Sequence, residues 1–118
     1  VGRYLVQRLA QAGIPVRAVV RSEAGLPGGT DWLQANVLDL PALLKAFENV
    51  QAVVHAAGLV SFNPRHKQAL LDTNVEGTRN VVNACLRLGV PRLIHVSSVA
   101  ALGRTKEMKQ VDEHSKWV

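Results

Sequence analysis

The sequence has little sulfur and few rings. One cysteine, Cys85, cannot form an internal disulfide, and it fits a reducing, cytoplasmic setting. A lone thiol cannot build a thiolate metal site either. The four histidines, His55, His66, His95 and His114, show no His-x-x-x-His spacing, so no metal is expected. Aromatic side chains are scarce. Trp32 and Trp117 stand alone and offer no stacking platform for nucleic acid. No apolar run approaches the roughly 18 residues that a membrane span needs, so no membrane partner is expected. The chain begins at Val1 and its single methionine is Met108, so it reads as a piece of a longer protein.

What is present is a chain of 118 residues, 47% hydrophobic and 19% charged, which suits one small globular domain. The formal charge is +5. The basic residues are nevertheless scattered, and only Arg104 to Lys109 forms a cluster. A solvated surface is therefore expected rather than a nucleic-acid stripe.

Apolar blocks alternate between helical and strand periods. Gly2, Leu5, Val6, Leu9 and Ala12 share a helical stripe, and Gly13 follows as a stop. Val16–Val20 is short and β-branched, and predicts a strand. Gly25, Pro27, Gly28 and Gly29 mark a loop. A weaker strand lies within Asp31–Leu38. Asp39 before Leu40-Pro41 signals a helix start, with the helix running to Phe47. Ala52–Ala57 and Leu93–Val96 are continuous apolar runs, the mark of strands buried on both faces. Between them, Asn63-Pro64 opens a helical region to about Leu88, and past Gly103 the pattern fades. Strands separated by helices imply right-handed crossovers and a doubly wound, mainly parallel α/β sheet.

Ligands of such sheets bind beyond the C-terminal ends of the strands. That rule selects Arg21-Ser22, Asn36-Val37, Ala56-Ala57-Gly58 and Ser97-Ser98. Arg21 closes the first strand, where an acidic side chain would hold a ribose 2′-hydroxyl; an arginine instead suits a 2′-phosphate, and NADP over NAD. It also reads as a solvated strand-end arginine. The small residues 56–58 suit close approach of a flat or phosphorylated ligand, or simply a tight turn. Leu70, Asn74, Gly77, Val81, Cys85 and Leu88 share one helical face, which places an asparagine and a glycine where burial is expected. Asn74 then bonds a neighbouring strand carbonyl, orders a site at the strand ends, or does both. Of Ser97 and Ser98, one faces each way by strand alternation, unless both only satisfy loop backbone groups. His55 and His95 are expected to be packed or turned to a cleft, and Cys85 to be inert core.

VGRYLVQRL, AVVHAAG, NVEGTRNVVNAC and LIHVSSVAALG, in this order, resemble the extended short-chain dehydrogenase/reductases. The resemblance is nearest to the NAD-dependent epimerase/dehydratase and dihydroflavonol-4-reductase-like branch, and covers nearly the whole chain. It implies that residues 1–118 are a partial NAD(P)-binding Rossmann domain, truncated at both ends. Gly2 resembles the last glycine of the phosphate loop, with the first strand upstream of Val1. Arg21 matches the position that meets the adenosine 2′ group. Asn36 and Val37 match the pair flanking the adenine, where the family usually has aspartate and an aliphatic residue. Ala56, Ala57 and Gly58 match the turn along the cofactor, and Ser97 lies beside it. Asn74 matches the asparagine of NVxGT, which supports the active site. Ser98 resembles the serine of a catalytic Ser-Tyr-Lys set.

No Tyr-x-x-x-Lys stands in the sequence; Tyr4 is the only tyrosine, and Asp112 occupies the place where Ser115-Lys116 would need one. Asp112-Glu113 resembles the acidic pair ahead of that motif, with the tyrosine and lysine expected downstream of Val118. The implied activity is that of an oxidoreductase or epimerase/dehydratase, by hydride transfer with NADP, or NAD, on a secondary alcohol or ketone: a nucleotide sugar or a flavonoid- or steroid-like small molecule. The alternative is a non-catalytic NAD(P)-binding sensor or scaffold on the same fold. A homodimer is expected of the full-length protein. Loss of a central first strand would separate Arg17–Val20 and its neighbour from the Val53 and Ile94 strands. The isolated piece is then expected to be unstable or to repack, and to bind NADPH more weakly than micromolar in a calorimetric titration.

Overall fold

A computed structural model describes residues 1–22, 28–102 and 110–115. The loop expectation at Gly25 and Pro27, the Arg104–Lys109 cluster, Gly103, Lys116 and Trp117 lie outside the described residues. The elements run α1 (Gly2–Gln11), β1 (Arg17–Val20), β2 (Asp31–Gln34), α2 (Leu40–Ala46) and β3 (Ala52–His55). A 3₁₀ turn (Pro64–His66), α3 (Lys67–Leu71), a π-helical turn (Asp72–Glu76), α4 (Gly77–Leu88), β4 (Arg92–His95) and a last 3₁₀ turn (Val99–Ala101) follow.

The local signals work as the residue chemistry requires. The Asp39 carboxylate accepts the Ala42 N–H at 3.1 Å and caps α2, with Pro41 in the first turn. Asn63 starts the 3₁₀ turn by accepting the Arg65 N–H at 3.0 Å. α4 stops because Gly89 takes φ +64°, and Val90 then donates back to the Cys85 carbonyl at 2.9 Å.

β1 pairs with β2 and β3 with β4, both in parallel, as two separate two-stranded sheets. The expected separation between these pairs is therefore present. Among the described residues no further strand lies on either pair. One apolar core nonetheless serves both. Leu43, Ala46 and Phe47 of α2 meet Val53 of β3 and Val81, Ala84 and Cys85 of α4, while Val19, Leu33 and Leu93 pack against the cluster from three strands. Arg17 ties β1 to its neighbours: its guanidinium bonds Asp31 at 3.1 Å and reaches the Ala46 and Glu48 carbonyls at the end of α2.

Three expectations are corrected. β4 is not buried on both faces: only Leu93 is half-buried, and Ile94 and Val96 are exposed. Apolar content marked the strand, but nothing among the described residues packs over its outer side. The helical region after Asn63 is not one continuous α-helix, because the π turn inserts extra backbone at Asp72–Glu76. That insertion takes Asn74 out of phase with the helix that follows, so Asn74 is exposed while Gly77, Val81 and Cys85 are buried; Leu88, the last residue of α4, is exposed at the helix end. No helix of the described residues is long and apolar enough to cross a membrane.

Candidate functional site

Each parallel pair ends in step, which sets the rim on which the candidate residues stand. The Val20 carbonyl accepts from Ala35 N–H at 2.9 Å, and the His55 carbonyl accepts from Val96 N–H at 3.0 Å. Arg21 leaves β1 beside the end of β2, where Gln34 Nε2 donates to the Arg21 carbonyl at 3.0 Å. The backbone is thus fixed while the guanidinium is exposed, with no partner among the described residues.

The turn after β2 holds Asn36 and Val37. Asn36 Oδ1 accepts from Leu38 N–H at 3.0 Å, and Asp39 N–H donates to the Asn36 carbonyl at 2.9 Å. Val37 is half-buried and lies against α4. A Cβ on Gly77 would stand 2.6 Å from Val37 Cγ2, so only glycine leaves room there. One turn on, Asn80 Nδ2 donates to the Val37 carbonyl at 2.9 Å.

After β3, Ala56 is half-buried and Ala57 and Gly58 are exposed. Asn74 holds the next residue by both backbone groups: Oδ1 accepts Leu59 N–H at 2.7 Å, and Nδ2 donates to the Leu59 carbonyl at 2.9 Å. The expected backbone partner exists, but it belongs to a loop and the asparagine is exposed. Gly58 sits beside this clamp; a Cβ there would lie 3.5 Å from Asn74 Oδ1, an ordinary contact. Beyond it Val60 and Phe62 are 85% and 98% exposed.

Ser97 and Ser98 follow β4 and are both exposed. Ser98 Oγ accepts Ala100 N–H at 3.2 Å and caps the last 3₁₀ turn. Accepting that bond leaves the hydroxyl proton available to donate. Gly2 opens α1 half-buried, with no atom within 4 Å of where a Cβ would stand. Gly2 and Ser98 share no hydrogen bond with the other candidates among the described residues. Asp112 and Ser115 cap one another across a turn, Oδ1 to hydroxyl at 3.2 Å, so neither resembles a proton-transfer pair.

Beneath the rim, His55 and His95 pair across β3 and β4 with ring centroids 5.4 Å apart. His55 is buried, and its Nε2 is hydrogen-bonded to Thr78 Oγ1 of α4 at 2.9 Å. Burial, and secondarily the nearby His95, holds the His55 ring below its ordinary pKa of 6.5. Cys85 is buried in the core, and burial pushes its thiol pKa up. No group of three or more His, Cys, Asp or Glu could hold a metal ion among the described residues. Thr78 and Asn80 escaped the sequence reading. Both lie within the NVEGTRNVVNAC segment, but as polar residues on a helix that carries several they did not stand out.

The family model of the NAD dependent epimerase/dehydratase family matches residues 1–117. The chain is 33% identical to a putative dihydroflavonol 4-reductase of Synechocystis over 96% of its length and 34% of that protein. It is 35% identical to sterol demethylase protein B of Methylococcus capsulatus, over 86% of this chain and 32% of the relative. The chain thus spans about a third of the length of these curated relatives. Among solved structures, a short-chain dehydrogenase/reductase superfamily protein from Agrobacterium tumefaciens with bound NAD superposes with a TM-score of 0.76. It is 31% identical, over 85% of this chain and 30% of that one. The UDP-glucose 4-epimerase of Thermus thermophilus, in complex with NAD, gives a TM-score of 0.87 over 99% of this chain and 40% of that one. At 22% identity, that likeness speaks for the Rossmann-like fold alone.

Proposed function

We propose a function from one premise: the chain belongs to the NAD dependent epimerase/dehydratase family. On this reading the protein that carries it is an NADP-dependent oxidoreductase that reduces a flat, apolar ketone or, in the other direction, oxidises the corresponding secondary alcohol. The observation that carries this reading is the placement of Arg21, Asn36-Val37, residues 56–58 and Ser97-Ser98 just past the C-terminal ends of parallel strands.

The residues present fit a dinucleotide. Gly2 leaves open space at the start of α1, where a phosphate would lie. Arg21 offers an exposed guanidinium to a 2′-phosphate, which favours NADP. Asn36 has Oδ1 committed to Leu38 N–H and keeps Nδ2 to donate to an adenine ring nitrogen. Ala57 and Gly58 leave the backbone open along the cofactor. When bound, the nicotinamide supplies the hydride. The chain's own contribution is the Ser98 hydroxyl, which donates to the substrate oxygen, with Asn74 keeping the loop after β3 in place. The tyrosine and lysine that move the proton are proposed to come from sequence outside these residues.

The exposed Val60 and Phe62, which follow β3, and Val99, which follows β4, favour a flavonoid- or steroid-like substrate over a nucleotide sugar. The names of the Synechocystis and Methylococcus relatives agree with this class. A homodimer fits the exposed apolar side chains Val82 and Leu86, four residues apart on α4, with Leu71 and Val75 exposed just before that helix. A cytoplasmic setting fits the single free, buried Cys85.

The test uses the protein expressed from its complete reading frame. NADPH is expected to bind at least about tenfold more tightly than NADH, and Arg21→Asp to reverse the preference. Ser98→Ala is expected to lower turnover of an aromatic ketone about a hundredfold. Equal affinity for the two nucleotides would remove the NADP assignment. Binding without turnover of any ketone or alcohol would favour the sensor reading, and no binding of either nucleotide would end the proposal.

A further inference from the structure

The turn after β2 is attached to a helix far away in sequence, and nothing in the nucleotide reading above required that. Val37 lies three residues past the end of β2, on the rim where a ligand of a parallel sheet must cross. Its carbonyl accepts from Asn80 Nδ2 at 2.9 Å, across 43 residues of chain. Its side chain fills the notch at Gly77, where a Cβ would come within 2.6 Å of Cγ2. Gly77 and Asn80 are one turn apart on α4, so together they form a socket. One position takes the side chain and the other takes the carbonyl.

The rest of the turn is closed on itself. Asn36 accepts from Leu38 N–H and Asp39 N–H, and Asp39 caps α2 through Ala42 N–H. Such a turn keeps its shape but needs an external bond to fix where it sits. Asparagine is also a weaker helix former than alanine or leucine. Asn80 spends its amide on the loop rather than on its own helix.

We propose that Asn80 is a positioning residue for the cofactor: its amide holds the Val37 turn at the rim, and so sets the pocket for the adenine end of the dinucleotide. This rests on the dinucleotide reading of the site. The same helix region grips the loop after β3 through Asn74, so the two ends of the cofactor meet separate clamps. Loss of the Asn80 donor therefore weakens the adenine end selectively.

The experiment compares wild type, Asn80→Asp and Asn83→Ala, each from the complete reading frame. Asn80→Asp keeps the volume but removes the donated bond, and Asn83 is an exposed control on α4. Affinities for 2′,5′-ADP and for reduced nicotinamide mononucleotide are measured by calorimetry, and amide exchange is followed in the absence of nucleotide. The expected result for Asn80→Asp is a loss of roughly fivefold to tenfold for 2′,5′-ADP. Affinity for the mononucleotide should stay within about twofold, and exchange at Leu38 should be faster while that at Val53–His55 is unchanged. Asn83→Ala should match wild type. Should Asn80→Asp fail to fold, Asn80→Ser is read in its place. If wild type binds both ligands and the variant weakens both equally, or neither, the positioning role is overturned while the cofactor reading stands. If wild type binds neither, both fall together.

Discussion

Asn74 holds Leu59 by both of its backbone polar groups, accepting its N–H at 2.7 Å and donating to its carbonyl at 2.9 Å. An amide side chain can hold both backbone groups of one residue in this way because it carries an acceptor on one side and a donor on the other. The clamp crosses from the π-helical turn to the loop after β3, so the helix sets where that loop begins.

Replacing Asn74 by alanine should loosen the loop more than it destabilises the protein. Both Leu59 groups are near water, which replaces the lost bonds at little cost. Chemical denaturation is expected to show a loss of no more than about 1 kcal/mol. Amide exchange at Leu59 should meanwhile rise about tenfold. Unchanged exchange at Leu59 would mean that the clamp does not order the loop.

Gly77→Ala tests the socket for Val37. Alanine gains about 1 kcal/mol in helix propensity, but its Cβ would press on Val37 Cγ2 and Cβ, within 2.6 and 3.1 Å. Val37 cannot easily yield, because its branched side chain is stiff and its carbonyl is bonded to Asn80. Overpacking of this kind costs roughly 1–3 kcal/mol, so a net loss of about 1 kcal/mol is expected in urea unfolding. A stabilised variant would show that the turn moves away freely.

His55 should make stability depend on pH. Its folded pKa lies below the ordinary 6.5, first because the ring is buried and then because His95 is near. The unfolded chain therefore binds this proton more readily. The contribution is fully present above about pH 6.5 and is lost as pH falls toward and through the lowered value. The stability difference between wild type and His55→Phe, measured by denaturant unfolding at pH 7.5 and at pH 5, should shrink or reverse at the lower pH. A difference independent of pH would show that the neutral ring is not required.

Much of the framework was legible in the order of residues. The stripe Gly2, Leu5, Val6 and Leu9 gave α1, the β-branched run ending at Val20 gave β1, and Asp39 before Leu40-Pro41 gave the start of α2. These are local effects of periodicity, capping and β-branching, which need no knowledge of distant chain. The strand ends followed, and with them the rim carrying Arg21, Asn36, Gly58 and Ser98.

Asn74 shows where such reading stops. Its spacing to Gly77, Val81 and Cys85 placed it on a buried face, because a straight α-helix was assumed. The π turn breaks that phase and carries Asn74 out to the loop. Val37 against Gly77, Asn80 on the Val37 carbonyl and Thr78 on His55 bring together residues from 23 to 43 positions apart. Composition and period alone determined which segments would be helix or strand, and where the parallel strands would end. Which polar side chain grips which loop was decided only when α4 packed across the strand ends, since a hydrogen bond between distant residues depends on their separation in space and leaves no period along the chain.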